Sequence, residues 1–261
     1  MSRLAPLMLV VLCTACRPSL EAPEDLDALS RFLFAHADDA DDALLVEGLL
    51  NLEPFLDPIK ADAALPDRSW SLTALTLEEA QTATEPPRSL DEVQAVGIAL
   101  PSVHAVMAHV DVAMREDQTP VESTAAWYDR VFLDEPNGDC FRDRSCDRIR
   151  TNNIVRRDNL LISIDFEQRK DFRWLTLGDR DAVLARAWFE QSWEGDAGAT
   201  TLWQNYGLEA LLEQPDGSTH RYQVIWSDAD VRGIGDDLVL NTLRAGADGI
   251  WRDTDKLLDS E

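Results

Sequence analysis

The stretch LWQNYGLEALLEQPDGSTHRYQVIW, residues 202–226, decides how the chain folds. Tyr206, Leu208 and Ala210 alternate with Gly207 and Glu209, and a period of two places the apolar residues on one face of an extended segment. Pro215-Asp216-Gly217 then supplies turn chemistry: proline fixes φ, aspartate bonds back to nearby backbone, and glycine accepts positive φ. Beyond the turn Tyr222, Val224 and Trp226 repeat the alternation. The stretch therefore reads as a β-hairpin with one aromatic-rich face.

Upstream the same period continues. Leu160, Ile162, Ile164 and Phe166 alternate with Ser163, Asp165 and Glu167, and Phe172, Trp174 and Thr176 carry the pattern on. Residues 181–193, DAVLARAWFEQSW, read either way, because Ala and Leu favour helix while their place between strands favours strand. Downstream the period becomes helical: Val239, Leu240, Leu243, Ala247, Ile250, Trp251, Thr254 and Leu258 follow an Asp236-Asp237 cap. Gly246 and Gly249 each cost such a helix about 1 kcal/mol relative to Ala, so a close neighbour, the sheet, is expected on their side.

Towards the N-terminus, Leu26, Leu29, Phe32 and Leu33, then Leu45, Val46, Leu49 and Leu50, recur at helical spacing around the break ADDADDA. Residues 25–60 read as a helical hairpin whose aspartates cap the second helix. SWSLTALTL, residues 69–77, reads as a first strand. Residues 89–115 read as helical with Pro101-Ser102 as an internal stop, and with Val103, Val106, Met107 and Val110 as the buried stripe. On such a helix His104 and His109, five apart, do not share a face. Residues 123–132 read as a further short helix. The fold class is thus α+β, with an antiparallel-sheet domain over 67–258.

This order over residues 69–258, a strand, helices, a run of five or so antiparallel strands and a long final helix, resembles the helix-grip arrangement of the START-like superfamily. The resemblance implies a curved sheet wrapped on the C-terminal helix around a hydrophobic cavity. Trp174, Trp188, Trp203, Tyr206, Trp226 and Trp251 are the candidate lining residues. A lipocalin-like β-barrel with added helices is the alternative fold.

The chain begins MSRLAPLMLVVLCTACRPS, in which Arg3 precedes an apolar run from Leu4 to Leu12 and small residues follow. That is the layout of a secretory signal over residues 1–15. The run falls well short of the roughly 20 residues a spanning helix needs. Leu12-Cys13-Thr14-Ala15-Cys16 resembles the lipobox of bacterial lipoproteins, which implies lipid on Cys16 as the mature N-terminus and a tether over residues 16–24. By the sorting rule of some two-membrane bacteria, Arg17 after the cysteine favours the outer membrane, facing the periplasm or the cell surface.

The 261 residues are 45% hydrophobic, enough for a well-filled domain, and carry a formal net charge of −25. Such a surface repels nucleic-acid phosphates, so nucleic-acid binding is excluded as an expectation. Only Lys60, Lys170 and Lys256 are lysines; the remaining basic residues are arginine. Cys140 and Cys146, in CFRDRSC, are the pair left to the mature chain, and in an exported protein they are expected to form a disulfide. A zinc site there would need a His or a second cysteine pair nearby.

Catalytic signatures are missing: there is no G-x-S-x-G, P-loop, H-E-x-x-H or dinucleotide fingerprint, and His36, His104, His109 and His220 are scattered. No enzyme activity, cofactor or metal is expected. Asp134, Asn137, Asp139 and Asp143 could offer hard oxygen ligands to calcium, yet they read more simply as a polar loop pinned by the disulfide. The functional expectation is an envelope lipoprotein that binds an apolar small molecule or lipid in an enclosed, mostly apolar cavity of several hundred Å³. The alternative is a structural or protein-interaction lipoprotein with a hydrophobic patch left exposed over residues 25–56.

Overall fold

A computed structural model describes residues 21–39, 41–134, 137–158, 163–233 and 235–261. The signal and lipid-attachment residues, Cys13 and Cys16 among them, lie outside these, as do Leu160 and Ile162. Helices α1 (Leu26–His36) and α2 (Asp42–Leu56) form the N-terminal hairpin. Asp25 and Asp41 cap them, their carboxylates accepting from the Ala28 and Ala43 amides at 3.0 Å. There follow β1 (Ser69–Leu72), α3 (Leu77–Gln81), β2 (Gln94–Ser102), α4 (Val106–Ala113), β3 (Ala125–Phe132) and α5 (Asp139–Arg142). The chain continues through β4 (Arg148–Asp158), β5 (Ser163–Leu177), β6 (Arg180–Trp188), β7 (Trp193–Glu194), β8 (Thr200–Glu213) and β9 (Thr219–Val231) to α6 (Asp236–Ser260). Among the described residues no helix is long and apolar enough to cross a membrane.

The strands form one curved antiparallel sheet in the order β1-β2-β9-β8-β6-β5-β4-β3, with β7 against β8. Its edges, β1 and β3, do not pair, so the sheet stays open and the lipocalin-like barrel is not adopted. Helix α6 packs chiefly on β2, with further contact to β9. The decisive hairpin is β8–β9, with Tyr206 opposite Trp226, Leu208 opposite Val224 and Ala210 opposite Tyr222. At its turn Gly217 has φ +82°, where an L side chain would be strained.

Several expected elements differ from those observed. Residues 94–102 are strand, not helix, and only Val106–Ala113 is helical within 89–115. β2 is buried on nearly every residue because helices cover both faces of the sheet there, which erases the alternation that marks a strand. Of the expected stripe, Val106 and Val110 are buried while Val103 is 81% exposed. His104 precedes the helix, so the spacing argument does not hold it apart from His109; the two rings lie 6.3 Å apart. Residues 125–132 are also strand: Trp127 and Val131 stand at helical spacing, but both are exposed, and the inward residues are Tyr128 and Arg130. The first strand stops at Leu72, and residues 180–188 are strand.

The two faces of the sheet have different partners. Tyr206, Leu208, Tyr222 and Trp226 share one core with Leu29 and Leu33 of α1 and Leu45 and Leu49 of α2. This hairpin face is closed, and Leu50 is the one large apolar residue of α1 and α2 that is substantially exposed among the described residues. Among the described residues, the patch expected from the interaction reading is absent from it. On the other face, α4 and α5 cover Phe172, Trp174 and Leu211, while α6 covers Ile98 and Leu100. The Cys140–Cys146 disulfide forms, with its Cα atoms 5.2 Å apart, and holds α5 beside this second core.

Arginine carries much of the contact between layers. Arg68, Arg130, Arg173, Arg186 and Arg221 are all buried. On the hairpin face, Arg173 donates to the Ala37 carbonyl at 3.0 Å and pairs with Asp42, and Arg186 pairs with Asp38. The acidic break between α1 and α2 therefore does more than cap a helix: it supplies counter-charges to arginines standing up from the sheet.

Candidate functional site

The α6 face of the sheet is thin in its middle. Ala187 lies opposite Gly207, and in the next pair on this face Ala185 lies opposite Glu209, so of these four residues only Glu209 raises a long side chain. Phe166 and Phe189 stand to one side, and Val239, Leu243 and Ile250 of α6 overhang the other. Between them lies a cavity of roughly 210 Å³, partly open to solvent. It is smaller and less enclosed than the expected chamber, and its walls are not uniformly apolar.

The glycines of α6 belong to this geometry. A Cβ at Gly246 or Gly249 would meet no heavy atom within 4 Å, so the close neighbour expected beside them is not there. Gly246 instead lines the cavity. The helix is fixed at its other half: Arg221 donates to both carboxylate oxygens of Asp255 at 3.0 and 2.7 Å, and Ser102 Oγ donates to the same carboxylate at 2.7 Å. Arg68 pairs with Asp248. Among the described residues no salt bridge ties Val239–Gly246 to the sheet.

A polar belt runs from behind the cavity wall onto its floor, where Gln168, Lys170, Asn205 and Glu209 line it. Register places Arg130 opposite Asn153, and Asn153 opposite Gln168. Gln168 Nε2 donates to Asn205 Oδ1 at 3.1 Å. One residue pair along, Lys170 donates to Glu209. Burial pushes the Glu209 carboxyl up, but Lys170, Arg130 and the Trp251 indole together hold it below the ordinary carboxylate range. At the rim Arg157 pairs with Glu122 at 3.3 Å.

None of the six aromatic residues expected to line a cavity lines this one. Trp188, Tyr206 and Trp226 point to the hairpin face, because strand alternation sends them opposite to Ala187, Gly207 and Ile225. Trp174 stacks on Phe141 beneath α5 with ring centroids 5.4 Å apart. Trp203 donates to Asp230 at 2.7 Å and carries Arg88 over its ring, beside a separate polar pocket of roughly 220 Å³. Trp251 packs on Ile98 and Leu100 and reaches the cavity's edge only through its contact with Glu209. The signal that marks the site is the small residues Ala185, Ala187 and Gly207 in mid-strand, which leave room for a ligand or another backbone. In the 134–143 loop the acids are engaged elsewhere: Asp134 binds Arg150, Asp139 binds Arg142, and Asp143 accepts from the Ser145 amide.

His109, on α4, is buried with no partner for Nε2, and it faces Arg221, Asp255, His104 and Glu209. Burial first, and the Arg221 guanidinium second, push its pKa down to about 4. The unfolded chain therefore binds a proton between about pH 6.5 and 4 that the folded chain refuses, and stability is lost as pH falls through that window. Asp171, which burial pushes up to about 6, acts in the opposite sense, so the test compares two proteins. Relative to wild type, His109→Leu is expected to gain up to ~1.4 kcal/mol for each pH unit descended, read from urea midpoints at pH 7, 5.5 and 4.5. A pH-independent difference would show that His109 titrates normally.

No protein-family model matches the chain, and neither does any curated protein sequence. Among solved structures, a STAR-related lipid transfer protein from Xanthomonas axonopodis is similar over 67% of this chain and 88% of its own, with 12% identity and a TM-score of 0.45. The lipid transfer and protein localization domain of human StarD13 is similar over 80% of this chain and 95% of its own, with 11% identity and a TM-score of 0.44.

Proposed function

We propose that this chain is a membrane-anchored binding module that takes an amphipathic small molecule between its sheet and α6. The observation that carries the reading is the cavity over Ala185, Ala187 and Gly207, where apolar walls from α6 and β5 meet a floor of paired charges and carboxamides. Ile225, Val239, Leu243 and Ile250 stay half-exposed there, apolar surface that a bound apolar chain would remove from water at ~25 cal/mol per Å². An anchor on Cys16 would keep the site at the cell envelope, on the outer membrane, with residues 16–24 as a short tether.

Filling the void tests the reading. Ala187→Phe is expected to abolish co-purification of extractable small molecules, measured by native mass spectrometry and solvent extraction, while the far-UV circular dichroism stays that of wild type. A wild-type protein that emerges empty and remains indifferent to added amphiphiles would defeat the proposal. For the anchor, Cys16→Ala should lose acyl labelling and move from the membrane to the soluble envelope fraction; continued membrane association would refute it.

A further inference from the structure

The charges around the cavity do not cancel. Lys170 is matched by Glu209 and Arg157 by Glu122, but Arg130 has no carboxylate within salt-bridge distance among the described residues. It is the one buried arginine so placed, since Arg68, Arg173, Arg186 and Arg221 each hold an aspartate. Glu209, whose carboxylate feels the Arg130 charge, is already held by Lys170 and Trp251.

Arg130 is only 5% exposed. Its Nε donates to Asn153 Oδ1 at 2.9 Å and its Nη2 to the Tyr128 hydroxyl at 3.3 Å, while Nη1 has no partner. Asn153, fully buried beside it, spends its oxygen on Arg130 and leaves Nδ2 without a partner as well. Two adjacent buried groups thus offer unused N–H donors, and no acceptor. Neither lines the cavity itself; each stands one side chain behind its wall, Arg130 behind Tyr128, which accepts its hydrogen bond, and Asn153 behind Gln168, its partner across the strands. A buried cation with free donors is costly unless an anion answers it.

From this we infer that the ligand carries an anionic oxygen head group, a carboxylate in its simplest form, received by Arg130 Nη1 and Asn153 Nδ2, with its apolar chain running under Val239, Leu243 and Ile250. The inference rests on the binding reading above and names the ligand class. An anion suits the donors because it accepts only, whereas a hydroxyl or an ammonium would bring further N–H or O–H groups to a place that has a surplus.

Isothermal titration of the purified full chain with dodecanoate, dodecanol and dodecylamine, each below its aggregation threshold, separates the two claims. Dodecanoate is expected to bind about tenfold to a hundredfold more tightly than dodecanol, the range of a charge-assisted hydrogen bond, and dodecylamine most weakly. Arg130→Gln should keep the dodecanol affinity and lose the preference for dodecanoate. Equal binding of dodecanoate and dodecanol by the wild type would overturn the anionic head while leaving the cavity reading in place. Failure of all three to bind would remove the cavity reading and this inference together. The wild-type comparison decides the matter whether or not the variant folds.

Discussion

Trp226→Ala is expected to cost about 3–5 kcal/mol of stability and to leave ligand affinity unchanged in the fraction that remains folded. The indole is fully buried on the hairpin face, with its ring centroid 5.5 Å from that of Phe34, and its N–H donates to the Thr73 carbonyl at 3.0 Å. Truncation leaves a void between β9 and α1 and an orphaned carbonyl, on the side of the sheet away from the cavity. The measurement is a urea unfolding midpoint paired with titration of an amphiphile under native conditions. Ala187→Phe should show the reverse pattern, binding lost and fold retained. Loss of binding in Trp226→Ala without loss of stability would place the ligand on the hairpin face and reverse the assignment of the two faces.

That contrast also shows what the sequence can disclose. The β8–β9 hairpin was legible because Tyr206, Leu208, Tyr222 and Trp226 form one strictly alternating apolar face with a strong turn between. The same clarity misdirects the search for the site, since the most apolar face belongs to the core and the cavity lies behind it. Its floor is made of residues without periodic signal: Ala185, Ala187 and Gly207, chosen for what they lack. β2 was illegible because helices bury both its faces, and β3 because its inward row contains Arg130 while Trp127 and Val131 face water. The Arg-rich, Lys-poor composition was visible, but its meaning was not. A guanidinium can be buried because its fork of donors can be satisfied by carbonyls and a carboxylate at once, and which carboxylate does so is settled only by tertiary structure.

Asp255→Ala is the second large effect, and it bears on the helix that roofs the cavity. The change removes the carboxylate that neutralises Arg221, a side chain 1% exposed whose pKa burial already pushes below the arginine norm against the opposing pull of Asp255. Breaking one half of a buried pair costs about 3–5 kcal/mol because the remaining charge is stranded. Arg221 would keep only the carbonyls of Leu100, Pro101 and Trp251, and Ser102 would lose its acceptor. The double variant Arg221→Met, Asp255→Leu should be far less harmful than the sum of the single losses, since it removes both desolvation penalties together. Hydrogen exchange gives the sharper reading. In Asp255→Ala the amides of α6 should exchange faster than those of β8 and β9, because the buried ion pair left to α6 is Arg68–Asp248, whose arginine sits just before β1 and reaches the sheet through the Ala99 carbonyl. Uniform acceleration across the sheet would mean that α6 cannot loosen apart from the core, and a ligand would then have to enter through the existing opening rather than past a displaced helix.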